Sequence, residues 1–169
     1  AMPNDSQVLF DQEKCIFTSH VFPMLVGQTM EIKNSDPIGH NTNIVAEKGL
    51  SFNQTVPAGK SLSFKPSAEE SAPVPVTCSI HPWMNAFLLP RNNGYFAVSG
   101  TDGSFEIPNL PDGEPIEFQV WHETASGPRN ALVGVEAPVK WNSRGRFSLK
   151  LSDGEVRALD VVVSSSSFR

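Results

Sequence analysis

The sequence has no apolar run that approaches the roughly 20 residues needed to span a bilayer, so we expect no membrane span. Lys and Arg are scattered rather than clustered, and the formal net charge is -5. Both features argue against nucleic acid or an anionic membrane surface as a partner. The start of the chain, AMPNDSQ, lacks the basic and apolar regions of a secretory signal. We therefore expect the partners to be proteins or small ions.

Sustained helical periodicity is also almost absent. Fourteen prolines and twelve glycines divide the sequence into short pieces, many of them with alternating apolar residues. Strand-like runs occur on both sides of VGQ at 26 to 28, in KSLSFKP and in VPVTCS. Strand-like residues continue in YFAVSG, and three Asp-Gly pairs then punctuate SFEIPNL, IEFQVWH and VRALDVVV. The pattern predicts an all-β protein.

The chain has only two cysteines, Cys15 and Cys78, which lie 63 positions apart. A single disulfide in an exported protein is one interpretation of such a pair. The stretch TCSIHPWM at 77 to 84 favours another, because Cys78, His81 and Met84 follow one another at intervals of three. A thiolate, an imidazole and a thioether suit copper better than magnesium, calcium or manganese, which prefer oxygen ligands. A further imidazole is then required, and His40 in NSDPIGHN is the best candidate.

Three stretches together resemble the cupredoxins, or type 1 blue copper proteins, and specifically their amicyanin- and plastocyanin-like members. These stretches are FTSHVFPMLVGQTMEIKNSDPIGHN, FNQTVPAGKSLSFKP and VTCSIHPWM. The resemblance implies a Greek-key β-sandwich with one copper ion per chain, used as Cu2+ and Cu+. Carried over by position, it implies that His40, Cys78 and His81 are the trigonal ligands and that Met84 is the long axial ligand.

The resemblance also implies roles for the neighbours of these ligands. Asn41 is similar to an asparagine that ties the loop of the first ligand to the backbone and hydroxyl of Ser79. Pro82 and Trp83 would stiffen the ligand loop and shield the copper from water. We expect an apolar patch around the exposed edge of His81, where redox partner proteins would dock.

The resemblance extends over about residues 15 to 100, which we expect to form the copper-binding domain. Residues 1 to 14 are then an N-terminal segment, and residues 164 to 169, SSSSFR, a frayed tail. Residues 101 to 163 are expected to be a β-rich extension packed on the domain, with additional strands and hairpins. Part of this region resembles carboxypeptidase regulatory-like modules, and it offers no nucleophile with its base.

Three further side chains are left without a role, namely Cys15, His20 and His122. They would form a second metal or redox site if the last strands pack against the first. The alternative is structural, with a buried thiol and hydrogen-bonded histidines.

The function that these features predict is one-electron transfer by a mononuclear type 1 copper site, with no catalytic residues. The alternative is a periplasmic copper carrier or scavenger without electron transfer. Enzymes such as nitrite reductases or multicopper oxidases need additional copper centres, and this chain has only four histidines and four methionines. A thiolate-ligated copper centre is expected outside the reducing cytosol, so we predict a periplasmic or exported protein whose signal peptide has been removed.

Overall fold

The computed structural model describes residues 7 to 133, 135 and 138 to 169. The chain divides into two compact units, of which the first ends at Ile107 and the second begins at Pro108. The described residues of the first unit form nine strands: β1 Gln7–Glu13, β2 Ile16–Phe17, β3 Val21–Leu25, β4 Thr29–Asn34, β5 His40–Ile44, β6 Phe52–Val56, β7 Ser61–Phe64, β8 Val74–Thr77 and β9 Asn85–Arg91. The second unit contains β10 Pro115–Gln119 and β11 Arg146–Lys150.

The nine strands of the first unit form two sheets that enclose one core. The four-stranded sheet has the order β2-β1-β4-β7, and the five-stranded sheet has the order β3-β9-β8-β5-β6. Strands of both sheets contribute buried side chains to a single cluster, for example Phe10 and Ile32 from one sheet and Ile44 and Leu88 from the other. The unit is therefore a β-sandwich, which confirms the predicted fold class.

The chain changes sheets between β2 and β3, β3 and β4, β4 and β5, β6 and β7, and β7 and β8. Such crossing connections are typical of Greek-key sandwiches. They also bring strands that are distant in sequence to the same end of the sandwich. The strand-like runs on both sides of VGQ are β3 and β4, and they lie in different sheets instead of forming a hairpin.

Strand β1 is part of the sandwich and lies between β2 and β4 in the four-stranded sheet. Residues of β1 pair in parallel with β4 over six positions, from Gln7↔Thr29 to Gln12↔Asn34. Phe10 and Gln12 are buried. The sandwich thus includes residues 7 to 14, although the resemblance begins only at about residue 15.

After β9, the described residues form fewer strands than the sequence predicts. In the second unit, β10 and β11 pair antiparallel, from Pro115↔Lys150 to Gln119↔Arg146, and the buried side chains of Ala125, Leu132 and Val135 form a small core. No strand forms at 95 to 110 or at 156 to 161, although the alternating pattern predicted strands there. Alternation stabilises a strand only when a neighbouring strand pairs with it and a core covers its apolar side. Tyr95, Val98 and Phe105 are instead exposed.

The C-terminal residues differ from the expected frayed tail. A short 3-10 helix covers Ser165–Ser167, and its N-cap is Ser164. Ser126 donates its amide to the carbonyl of Ser167, and Arg169 donates its amide to the carbonyl of Thr124. These backbone hydrogen bonds hold the end of the chain against residues 124 to 126.

Among the residues that the structure describes, no helix is both long enough and apolar enough to cross a membrane.

Candidate metal centre

Three neighbouring strands position the predicted ligands. His40 is the first residue of β5, Cys78 directly follows β8, and Met84 directly precedes β9. Strand β5 pairs antiparallel with β8 through Asn43↔Thr77, so the beginning of β5 lies beside the end of β8. The loop from β8 to β9 starts at that same end of the sheet. Strand pairing therefore places His40 beside the loop that carries Cys78 and His81, although it is distant from them in sequence.

The ring nitrogens of the two histidines and the cysteine sulfur converge on one point. His40 Nδ1 lies 2.9 Å from His81 Nδ1, and Cys78 Sγ lies 3.8 Å from the same His81 atom. One ligand atom from each of these three residues lies within 4.8 Å of the others. His40 is 0% exposed and Cys78 is 3% exposed, whereas His81 is half-buried. The group is enclosed on the protein side and reaches the surface through His81.

Backbone hydrogen bonds close the loop that carries three of the predicted ligands. Cys78 donates its amide to the carbonyl of Met84 over 3.2 Å, and Met84 donates its amide to the carbonyl of His81 over 2.9 Å. The Met84 side chain is 1% exposed and packs in the same core cluster as Cys78. The loop thus holds the buried Met84 side chain in the core that also contains Cys78.

The sulfur of Cys78 also accepts a hydrogen bond from the backbone. The amide of Asn41 donates to Cys78 Sγ over 3.3 Å. The side chain of Asn41 accepts from the amide of Ser79 and donates to Asn53 Oδ1. The backbone contact to Ser79 is the one that the resemblance implies, but the side-chain amide is bonded to Asn53 instead of the Ser79 hydroxyl. The loop of the first histidine is thereby tied to the residue beside the cysteine.

Asp36 is a buried carboxylate beside His40 that sequence reasoning missed. Its Oδ2 atom lies 2.7 Å from His40 Nε2, on the far side of the ring from the converging ligand atoms. Burial raises the pKa of Asp36, but hydrogen bonds from the Cys15 amide, His40 and the Lys14 amide outweigh it and hold that pKa below its usual value. The motif N-x-D-x-x-x-H-N contains this aspartate, but nothing in the motif shows that it contacts the histidine.

Trp83 lies at the surface next to the half-buried histidine. Its ring centroid is 5.2 Å from that of His81, and its Nε1 donates to the carbonyl of Cys15 over 3.0 Å. Pro82 and Trp83 are both exposed, Trp83 by 64%. The tryptophan therefore covers one side of the His81 ring and remains accessible to a partner.

The three residues left without a role, Cys15, His20 and His122, lie in different surroundings. Cys15 is partly buried, and its sulfur forms a second group of potential ligands with Asp36 and His40. This group shares His40 with the first group. Its carboxylate, that of Asp36, already forms hydrogen bonds with His40 and with the amides of Lys14 and Cys15. His20 is exposed and its ring contacts Phe87, and His122 belongs to the second unit. Within the described part of the chain, neither histidine joins a group of three potential ligands.

The donor set fits copper. Two imidazoles and one thiolate in a trigonal arrangement, with a weak thioether nearby, are the ligands of blue copper sites. Cys78 is a free thiol, as is Cys15, so no disulfide removes the sulfur from the set. Two ring nitrogens at 2.9 Å need either a shared proton or a cation between them. The same pair would serve as adjacent ligands of one metal ion.

No family model matches the chain, and no curated protein sequence matches it. Among solved structures, the chain is similar to a methionine-to-alanine variant of amicyanin with Cu(I), at 15% identity and a TM-score of 0.44, over 54% of this chain and 97% of that chain. It is similar to a reduced tryptophan-to-tyrosine variant of amicyanin at 21% identity and a TM-score of 0.44, over 52% of this chain and 84% of that chain. A copper-containing nitrite reductase from Thermus scotoductus SA-01 aligns at 18% identity and a TM-score of 0.47, over 51% of this chain and 22% of that chain.

Proposed function

We propose that the first unit binds one copper ion in a mononuclear type 1 site and acts as a one-electron carrier. His40, Cys78 and His81 would be the strong ligands, and Met84 the weak axial ligand. The observation that carries this proposal is the convergence of the two Nδ1 atoms and the cysteine sulfur at one end of the sandwich. A bound copper ion would supply one-electron oxidation and reduction at this point.

The residues around the site support a carrier with a rigid ligand set. Strand β5 holds His40, and the hydrogen bonds from Asn41 and Met84 fix the two ends of the cysteine-histidine-methionine loop. Ligands that the fold already holds in place need to rearrange little when the charge of the metal changes. The amide of Asn41 donates to the sulfur and stabilises negative charge on the thiolate.

We propose that electrons enter and leave at the surface edge of His81. This ring is half-buried, and the neighbouring Ile80 and Trp83 are 50% and 64% exposed. An exposed apolar surface of this kind fits a short-lived complex with a redox partner protein. Because thiolate-ligated copper is retained best outside a reducing compartment, we propose a periplasmic or exported location.

A copper carrier or scavenger without electron transfer is the alternative. Such a protein needs ligands that can release the metal readily to an acceptor. The burial of His40 and Cys78, at 0% and 3% exposure, favours slow release and therefore the electron carrier. We propose no enzymatic activity, because the chain lacks the additional histidines that a second copper centre would need.

The copper-loaded protein should be tested by optical and electron paramagnetic resonance spectroscopy. We expect one copper ion per chain and an intense visible band from thiolate charge transfer that bleaches on reduction. Cys78→Ser should abolish this band, whereas the control Cys15→Ser should retain it, because only the Cys78 sulfur faces both histidines. A colourless wild-type protein with bound copper would contradict the proposal. Rapid loss of copper to a chelator, without electron exchange with any redox protein, would favour the carrier alternative.

A further inference from the structure

The buried Asp36 is bonded to His40, one of the proposed ligands, without being a proposed ligand itself. Asp36 is 7% exposed and His40 is 0% exposed. The contact between His40 Nε2 and Asp36 Oδ2, at 2.7 Å, joins one wall of the site to the loop before β5. A buried charged group of this kind is costly unless it is well bonded, so its presence calls for a physical reason.

We propose that Asp36 is a positioning residue that keeps His40 Nδ1 free for the metal and strengthens it as a donor, and so lowers the reduction potential of bound copper. The inference rests on the proposed function and adds a determinant of its potential. Asp36 would act through His40 and would not contact the metal itself.

The hydrogen-bond geometry fixes which nitrogen of His40 carries the proton. An ionised carboxylate can only accept, so His40 Nε2 must donate to Asp36 Oδ2. In a neutral imidazole the other nitrogen then has a free lone pair. That nitrogen, His40 Nδ1, is the atom that faces His81 and belongs to the group with Cys78. The carboxylate therefore selects the form of the ring that can bind a metal at this point.

Asp36 is itself held from three sides. The amide of Lys14 donates to Oδ1 over 2.7 Å, and the amide of Cys15 donates to Oδ2 over 2.8 Å. The amide of Asp36 donates to Oδ1 of the fully buried Asn34 over 3.0 Å. The carboxylate oxygens cannot turn away from His40 without breaking these bonds. The orientation of the histidine ring is thus set by the backbone of another part of the sandwich.

The turn that supplies the two amides has an unusual conformation. Lys14 and Cys15 connect β1 to β2 as a two-residue loop, and both have positive φ, at 56° and 55°. Such turns normally use Asn-Gly or Asp-Gly, because other side chains are strained there. With positive φ at both positions, the two amides point to the same carboxylate. The strained conformation of this turn therefore has a structural reason, because it lets both amides bind the Asp36 carboxylate.

The direction of the effect follows from charge. A carboxylate that accepts from a ligating imidazole makes the ring a stronger donor, which stabilises Cu(II) more than Cu(I). Removing the charge should lower the affinity for Cu(II) relative to Cu(I). Loss of such a partner typically costs 10- to 100-fold in metal affinity. A tenfold change in the ratio of the two affinities corresponds to about 59 mV for one electron, so the potential should rise by about that amount.

Two measurements test the inference. The first is nitrogen NMR of the copper-free wild-type protein, in which His40 should carry its proton on Nε2. The second compares the reduction potentials of wild type, Asp36→Asn and the control Asp11→Asn. The Asp11 carboxylate also accepts from a backbone amide and from a Ser hydroxyl, so its replacement removes the same charge away from His40.

We expect Asp36→Asn to keep the thiolate band and to show a higher potential, while Asp11→Asn matches wild type. Equal potentials in all three proteins, or equal shifts in the two variants, would overturn the inference. If Asp36→Asn does not fold, the wild-type NMR spectrum still decides, because a proton on His40 Nδ1 would overturn it. A wild-type copper form without a thiolate band would instead contradict the proposed function, and the NMR result would remain a separate test of the Asp36–His40 bond.

Discussion

Asn34 connects the loop that leads to His40 with the strand beside it. Its side-chain amide donates to the carbonyls of Ile38 and Val56 over 2.7 and 2.9 Å, and its Oδ1 accepts from the amide of Asp36. The side chain is 0% exposed, so water cannot replace these bonds. One amide group thus satisfies three backbone groups in the segment that carries both Asp36 and His40.

Replacing Asn34 by alanine should therefore destabilise the protein strongly. Two of the three bonds, to Val56 and from Asp36, are buried, and each buried backbone group left without a partner costs about 1–3 kcal/mol, so we expect Asn34→Ala to lower the free energy of unfolding by about 2–6 kcal/mol. Urea denaturation of the copper-free protein measures this. The control Asn43→Ala removes one long hydrogen bond, at 3.4 Å to Thr77 Oγ1, and should cost less than about 1 kcal/mol. Equal losses in both variants would contradict this role of Asn34.

Candidate ligands are easier to recognise in the sequence than the groups that hold them in place. Cys78, His81 and Met84 lie in one loop, and their regular spacing is visible in the sequence. In the sequence, Asp36 is only one position of the motif N-x-D-x-x-x-H-N, and nothing there indicates its contacts. Its role depends on the amides of Lys14 and Cys15, which are 22 and 21 positions away in the chain. Backbone donors of this kind leave no sequence signal, because every residue except proline has one.

At the scale of elements, the hairpin of β1 and β2 is the clearest departure from sequence rules. A turn with two positive φ values favours asparagine or glycine, but residues 14 and 15 are lysine and cysteine. The sequence pattern did not predict β1, which lies before the strand-like stretch that begins at residue 15. The cause is tertiary, since parallel pairing with β4 buries β1 whatever its turn residues prefer.

Lys14→Asn should stabilise this hairpin. Asparagine tolerates positive φ better than lysine does, and the Lys14 side chain is 83% exposed and forms a long ion pair, at 3.8 Å, to Glu13. We expect the free energy of unfolding to rise by about 0.5–1 kcal/mol, measured by urea denaturation of the copper-free protein. The control is Lys60→Asn, which removes the same charge at an exposed turn residue whose φ is not positive. This substitution should change the free energy of unfolding by less than about 0.5 kcal/mol. A stability no higher than that of wild type would show that the turn is not strained.

Strand prediction succeeded for most strands of the sandwich and for IEFQVWH, which contains β10, but it failed for other runs after β9. KSLSFKP and VPVTCS contain β7 and β8, and both strands have paired neighbours and buried positions. The runs at 104 to 110 and 156 to 161 have the same alternation but form no strand. A period of two shows that a segment can pair, but it does not show that a partner is present.

At the scale of the whole molecule, the chain consists of two compact units with separate cores. The core of the first unit includes residues from Phe10 to Leu88, and that of the second is centred on Ala125, Leu132 and Val135. All four predicted copper ligands belong to the first unit. The role of the second unit, including its predicted likeness to carboxypeptidase regulatory-like modules, stays a prediction.

A chain that ends at Ile107 should fold and keep the copper site. We expect the same visible band as the full chain, within a few nanometres, and a cooperative urea transition, because the first unit carries its own core. Optical spectra and circular dichroism of the two proteins measure this. A shortened protein that is unfolded, or that binds copper with a different spectrum, would show that the second unit supports the sandwich or the site.

The all-β class follows from the sequence, because prolines, glycines and alternating apolar residues leave little room for helices. The sequence also predicts three neighbouring candidate ligands in the β8–β9 loop, since residues in one short loop are close whatever the rest of the chain does. The position of His40 beside this loop, and its contact with Asp36, could be read only from the folded chain. Both depend on which strands pair and in which register, and pairing is set by burial and hydrogen bonding between segments far apart in the chain.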